Sequence, residues 1–129
     1  MHFRKEIMRA LVFGTKDWTD YNDLIRQVTL LIEDNKVFYP EDKEFTFVHK
    51  GTRGAENMIT EYIGKTERFL KQKGYKIKEE IIRDSSSFSD VTMIESSPSI
   101  ALIFGESARN TSCIKILESY GIPYRYFKE

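Results

Sequence analysis

The chain has 129 residues, which fits a single domain that buries a core of its own. Its 20 lysine and arginine residues balance 20 aspartate and glutamate residues, so no overall charge attracts nucleic acid or an anionic membrane. The lone Cys113 excludes an internal disulfide, and no apolar run reaches the roughly 20 residues that cross a bilayer, so we expect a soluble, cytoplasmic protein.

Apolar residues follow two patterns along the chain, one typical of strands and one typical of helices. The segment 33–44 is charged and contains Pro40, which predicts a surface connection, and 83–89 is predicted to be a mobile loop. The predicted elements, in chain order, are a strand at 9–14, a helix at 24–32, a strand at 45–49, a helix at 55–70, a strand at 75–82, a short helix at 90–95, a strand at 100–104, a helix through 114–120 and a strand at 124–127.

This alternation predicts an α/β fold in which helices cover a mainly parallel five-stranded sheet. The strand at 75–82 is highly charged, and we place it at an edge of the sheet. Residues 1–7 lack the apolar segment of a secretory signal. They are predicted to be an N-terminal extension that precedes a single domain over 8–129.

Three of the predicted strands end in loops that contain glycine and polar residues. Because the carboxyl ends of parallel strands share one edge of the sheet, we expect these loops to converge on one crevice. Glycine lets backbone amides approach a ligand, and a helix N-terminus favours an anion, so the second loop predicts a phosphate cradle. The candidate ligand-binding residues are Gly14, Thr15, Lys16, Asp17 and Trp18 in the first loop, Lys50, Gly51, Thr52, Arg53, Gly54 and Glu56 in the second, and Gly105, Arg109, Asn110 and Thr111 in the third.

The loop sequences resemble those of the SLOG superfamily, and most of all its small YspA-like branch. Residues 14–18 read Gly-Thr-Lys-Asp-Trp, similar to the Gly-x-Arg-Asp-Trp that ends the first strand in that branch. Residues 49–56 read His-Lys-Gly-Thr-Arg-Gly-Ala-Glu, similar to its His-Gly-Gly-Ala-Arg-Gly-Ala-Asp, and Gly-Ile-Pro at 121–123 also matches. The resemblance covers nearly the whole chain. It implies a Rossmann-like three-layer sandwich that binds a nucleotide-derived ligand.

The third loop departs from the SLOG pattern. The family's Gly-Gly-x-Gly-Thr is reduced to Gly105 and Thr111, and residues 89–90 are Ser-Asp where the family carries Arg-Asn. In the related LOG phosphoribohydrolases, which release free bases from nucleotides, a catalytic glutamate follows that threonine. Residues 112–115 contain no carboxylate. The comparison with the family therefore disfavours a hydrolase of that type.

The resemblance also implies roles for the candidate side chains. Arg53 lies between two glycines at a helix start and is the favoured cation, since arginine binds phosphate through two N–H groups. Lys16 is a second cation, whereas Lys50 and Arg109 either bind the ligand or are solvated loop charges. Trp18 either stacks on a base or packs beneath the sheet.

Two functions follow from the resemblance. The first is non-catalytic sensing or sequestration of a nucleotide-derived molecule, such as an ADP-ribose-type or cyclic nucleotide immune signal. In a phage, such a protein would act in the host cytoplasm as an anti-defence sponge, and Asp17 or Glu56 would bind ribose hydroxyls. The alternative is a nucleotide phosphoribohydrolase or N-glycosidase of the LOG type, with Glu56 as acid or base and Glu106 or Asp17 as substitutes.

The sequence also bears on oligomeric state, nucleic-acid binding and metal binding. SLOG relatives often assemble, and an aromatic-rich edge at 120–127 fits a homo-oligomer. No stripe of basic and aromatic residues predicts nucleic-acid binding. The two histidines lie in different sequence contexts, so we predict no metal site and no cofactor.

Overall fold

Five strands alternate with four helices in the computed structural model, which describes residues 7–84 and 86–129. The strands are β1 (Ile7–Gly14), β2 (Glu44–His49), β3 (Lys76–Ile81), β4 (Ile100–Phe104) and β5 (Tyr124–Phe127). The helices are α1 (Tyr21–Phe38), α2 (Ala55–Gln72), α3 (Ser87–Ile94) and α4 (Ala108–Ser119).

The strands form one fully parallel sheet in the order β3-β2-β1-β4-β5. This arrangement confirms the predicted α/β fold and is that of a Rossmann-like three-layer sandwich. β3 lies at an edge, as its charged residues predicted. From β1 the chain adds strands first on one side and then on the other, so the switch point of the sheet lies between β1 and β4.

Each face of the sheet carries its own apolar core. Met8, Ala10 and Val12 of β1 belong to the core that α1 and α2 cover, whereas Leu11 and Phe13 belong to the core beneath α3 and α4. The alternation follows from the strand geometry, which sends successive side chains to opposite faces. Within the described residues, none of these helices combines the length and the apolar character needed to cross a membrane.

The first helix is longer than the sequence predicted. α1 continues to Phe38, so the surface connection predicted over 33–44 is wrong for its first half. Lys36 and Glu33 form an ion pair of 3.1 Å one turn apart within the helix. Charged residues on the outer face of a helix interrupt its apolar pattern without ending it, which is why the sequence placed the boundary too early.

The starts of one strand and one helix also differ from the sequence predictions. β1 begins at Ile7, which pairs with Glu44, so this residue belongs to the sheet and not to the predicted extension. The rest of that extension, residues 1–6, lies outside the described residues. α3 begins at Ser87 and thus includes the end of the predicted loop at 83–89, of which Ser85 also lies outside the described residues.

Candidate ligand-binding site

A crevice of about 600 Å³ opens at the carboxyl ends of β1 and β4, next to the switch point of the sheet. As predicted, the loops after β1, β2 and β4 all contribute to its walls, and α3 adds a residue that the sequence analysis did not include. The lining residues are Gly14, Thr15, Lys16, Asp17, Lys50, Thr52, Asp90, Glu106, Ser107 and Arg109.

Glycines hold the three loops against one another. A Cβ atom on Gly14 would lie 2.5 Å from the Cβ of Ala55, and one on Gly54 would lie 2.2 Å from the carbonyl oxygen of Thr15. A Cβ on Gly105 would lie 2.5 Å from the hydroxyl of Thr15. The loop after β1 is thus in close contact with both other loops. Sequence reasoning assigned these glycines to a ligand, and the structure shows that they first allow close contact between loops.

Glu56 joins the same three loops from inside the protein. Its side chain is 0 % exposed and accepts hydrogen bonds from the backbone N–H of Gly14 (3.2 Å) and of Lys50 (2.8 Å). It also accepts one from Arg109 Nη1 at 2.7 Å. The expectation that Glu56 binds ribose or acts as a catalytic acid or base is therefore wrong, because its oxygens are occluded and already engaged.

Lys50 and Arg109 converge on Asp90. Lys50 Nζ lies 3.3 Å from Asp90 Oδ1 and donates to the carbonyl oxygen of Ser86 at 2.8 Å. Arg109 donates to both Asp90 oxygens, at 3.1 Å and 3.0 Å. The side chains of Lys50 and Asp90 are only 6 % and 7 % exposed, so Lys50 is not a solvated loop charge. Arg109 is held by the same carboxylate. Asp90, which the sequence analysis did not name as a candidate, is the residue that joins these two cations.

The guanidinium of Arg109 is firmly held and stays charged. Burial alone would lower the pKa of Arg109, but hydrogen bonds to Asp90 and attraction by Glu56 outweigh it and raise the pKa above its usual value. The group also lies 5.3 Å from the centre of the Phe13 ring. Within the described residues, Arg109 uses three of its five donors and Lys50 two of its three. Both cations therefore retain donors for a ligand.

Two predicted ligand contacts are structural instead. Trp18 is 2 % exposed, packs edge-on against Phe104 with ring centres 5.3 Å apart, and donates to the carbonyl oxygen of Asp20 at 2.9 Å. Its packing role is confirmed, and the base-stacking role is wrong. Asn110 is buried and donates to the carbonyl oxygen of Gly105 at 2.9 Å, so it supports the third loop from below.

The remaining candidates differ in their distance from the crevice. Gly51, Arg53 and Thr111 are exposed and do not line it. Arg53 forms no ion pair with any described residue, and its contact with a ligand stays a prediction. Thr52 does line the crevice, and its buried hydroxyl has no hydrogen-bond partner among residues 7–84 and 86–129. Ser107, which the sequence analysis did not single out, caps α4 by accepting from the Asn110 N–H at 3.0 Å.

Other reactive groups near the crevice are engaged or neutral. Burial, with a further contribution from the charge of Asp90, raises the pKa of Cys113 to about 12, so this residue is a thiol at neutral pH. The buried His49 accepts from the Gly51 N–H at 2.9 Å through Nδ1, and its Nε2 lies 2.7 Å from Glu79. In the described part of the chain, no three acidic, histidine or cysteine side chains are grouped to hold a metal ion.

The crevice thus combines two anchored cations, a hydroxyl without a partner among the described residues and three carboxylates, Asp17, Asp90 and Glu106, in one concave surface. Such a surface is suited to holding a polar, anionic small molecule. The sequence matches no protein-family model, and no curated protein matches it. Membership of the SLOG superfamily stays a prediction that rests on the loop motifs.

Proposed function

We propose that this protein binds a nucleotide-derived small molecule in the crevice and does not cleave it. The observation that carries the proposal is the convergence of Lys50 and Arg109, each with unused N–H donors, on one concave surface. That surface lies next to the switch point of a parallel sheet, where ligands of such folds bind.

Three further features of the crevice support a phosphate-containing ligand. α2 and α4 begin beside the crevice, and a helix N-terminus attracts an anion through its free amide groups. The buried hydroxyl of Thr52 would gain its missing partner from a phosphate oxygen. The volume of about 600 Å³ falls within the range typical of small-molecule sites.

The positions of the carboxylates support binding over cleavage. Glu56 is occluded, so a phosphoribohydrolase or N-glycosidase would have to use Asp17, Asp90 or Glu106. Asp90 is already held by Lys50 and Arg109. Glu106 pairs with Lys128 at 2.9 Å, and both of these side chains are well exposed. A catalytic acid or base is normally held in a partly buried position beside the reacting atoms, and an exposed, paired carboxylate lacks that environment.

The biological role that fits this site is capture of a nucleotide signal. An ADP-ribose-type molecule or a cyclic nucleotide is the ligand we propose, with sensing or phage anti-defence sequestration as its use. The resemblance of the loops to the SLOG superfamily supports this role. Assembly into a homo-oligomer is part of the proposal, supported by the exposed aromatic residues Tyr120 and Tyr126 near β5.

Titration with a panel of nucleotides, followed by amide chemical shifts in NMR spectra, tests the location of the site. We expect the largest shifts in the three loops and at Asp90. Lys50→Met should weaken binding about tenfold or more, because a charge-assisted hydrogen bond is lost. Lys65→Met removes an exposed lysine that pairs with Glu61 on α2, and it should leave affinity unchanged.

The same experiment can contradict the proposal. The ligand would lie elsewhere if the shifts were concentrated at the lysine-rich end of the sheet around Tyr75 and Lys50→Met bound the nucleotide as tightly as the wild type. Free base and ribose phosphate among the products would instead favour the enzyme.

A further inference from the structure

The charges that line the crevice cancel. Three are positive and three are negative, so the lining is neutral as a whole. The positive lining residues are Lys16, Lys50 and Arg109, and the negative ones are Asp17, Asp90 and Glu106. A neutral site attracts a doubly charged phosphate less than a cationic site does, while the cost of stripping water from that phosphate remains.

Asp90 is the member of this set that acts most directly on the anchoring cations. Its Oδ1 atom lies 3.3 Å from Lys50 Nζ and 3.0 Å from Arg109 Nη2, so one carboxylate oxygen serves both cations. Asp90 is nearly buried, and its negative charge is therefore poorly screened by solvent. Any phosphate that reaches the spare donors of Lys50 and Arg109 comes close to this carboxylate.

On the basis of the proposed function, we infer that Asp90 makes the crevice selective for esterified phosphates over terminal phosphate groups. A phosphodiester or an internal pyrophosphate carries one negative charge per phosphorus, whereas a terminal phosphate carries about 1.5 to 2 at neutral pH. The spare N–H donors hydrogen-bond either kind of phosphate oxygen. The fixed charge of Asp90 repels the terminal phosphate more strongly, so it sets the preference.

A purely positioning role for Asp90 makes a different prediction. If Asp90 only held Lys50 and Arg109 in place, its loss would weaken every phosphate ligand to a similar extent. The ratio of the affinities for an esterified and a terminal phosphate therefore distinguishes the two roles, whereas a single affinity does not.

ADP-ribose and ADP are the pair for this test, since they share adenosine diphosphate and ADP-ribose adds the ribose that esterifies the terminal phosphate. Contacts of that ribose are the same in the wild type and in the variants, so the change in the ratio reports on Asp90. Calorimetric titration should show tighter binding of ADP-ribose to the wild type. In Asp90→Asn this preference should shrink about tenfold, the size expected for removing one nearby charge. Asp17→Asn, at an exposed position of the same crevice, should shift the preference in the same direction by a smaller factor.

Glu80→Gln is the control, because it also removes one carboxylate from an arginine pair, with Arg9 at 2.8 Å, but at the β3 edge. This variant should keep the wild-type ratio. Equal weakening of both nucleotides in Asp90→Asn, or a wild type that prefers ADP, would overturn the inference alone. Absence of binding of both nucleotides to the wild type and to both crevice variants would overturn the inference together with the ADP-ribose-type form of the proposed function.

Discussion

Replacing Glu56 by alanine is expected to lower the free energy of unfolding by about 3–5 kcal/mol. The carboxylate is fully buried, and its loss removes one anionic partner of Arg109 and leaves the N–H groups of Gly14 and Lys50 without their acceptor. Buried donors without a partner carry their full desolvation cost. Urea denaturation of the variant and the wild type measures the difference.

Glu61→Ala is the matched control for this prediction. Glu61 lies on the same helix, α2, and its side chain is exposed and pairs with Lys65 at 3.0 Å. Exposed ion pairs contribute little, so this variant should lose at most about 1 kcal/mol. If Glu56→Ala lost no more than Glu61→Ala, Glu56 would not be the residue that joins the three loops.

Gly54→Ala is the second change with a large expected effect. Gly54 has a φ of +85°, and a Cβ atom would lie 2.2 Å from the carbonyl oxygen of Thr15. Alanine therefore has to adopt an unfavourable backbone conformation and also separate two loops that form the crevice. We expect a loss of about 3 kcal/mol or more in unfolding free energy, together with weaker nucleotide binding.

Gly74→Ala is the control for a positive φ without the contact between loops. Gly74 follows the end of α2 with a nearly equal φ of +88°, but a Cβ atom there would have nothing within 4 Å. Only the backbone cost remains, which is about 1–2 kcal/mol. Equal losses in Gly54→Ala and Gly74→Ala would mean that the contact between the loops after β1 and β2 is unimportant.

Most of the fold could be predicted because burial leaves a periodic trace in the sequence. The apolar runs of β1 and β4 are buried on both faces, and the charged β3 marks an edge. The end of α1 was misplaced because Glu33 and Lys36 lie where the helix is solvated. Local pattern thus identifies an element reliably and locates its ends poorly.

The candidate site was predictable only in outline. Its three loops follow from strand order, but the partners of their side chains lie far away in the sequence. Asp90 contacts residues 40 positions before it and 19 positions after it, and no local pattern marks such a contact. Trp18 and Glu56 are of residue types that serve equally well in a core or in a site. Only burial in the folded chain decides between these roles.

Recovery of the ligand after denaturation tests the central claim, that the crevice captures a nucleotide-derived molecule without cleaving it. The protein is incubated with the nucleotide panel, separated from unbound nucleotides, denatured by heat and analysed by mass spectrometry. We expect one intact nucleotide in a constant ratio to protein, and a much smaller amount from the Lys50→Met variant treated in the same way. Recovery of free base with ribose phosphate, or of equal amounts from both proteins, would contradict the claim.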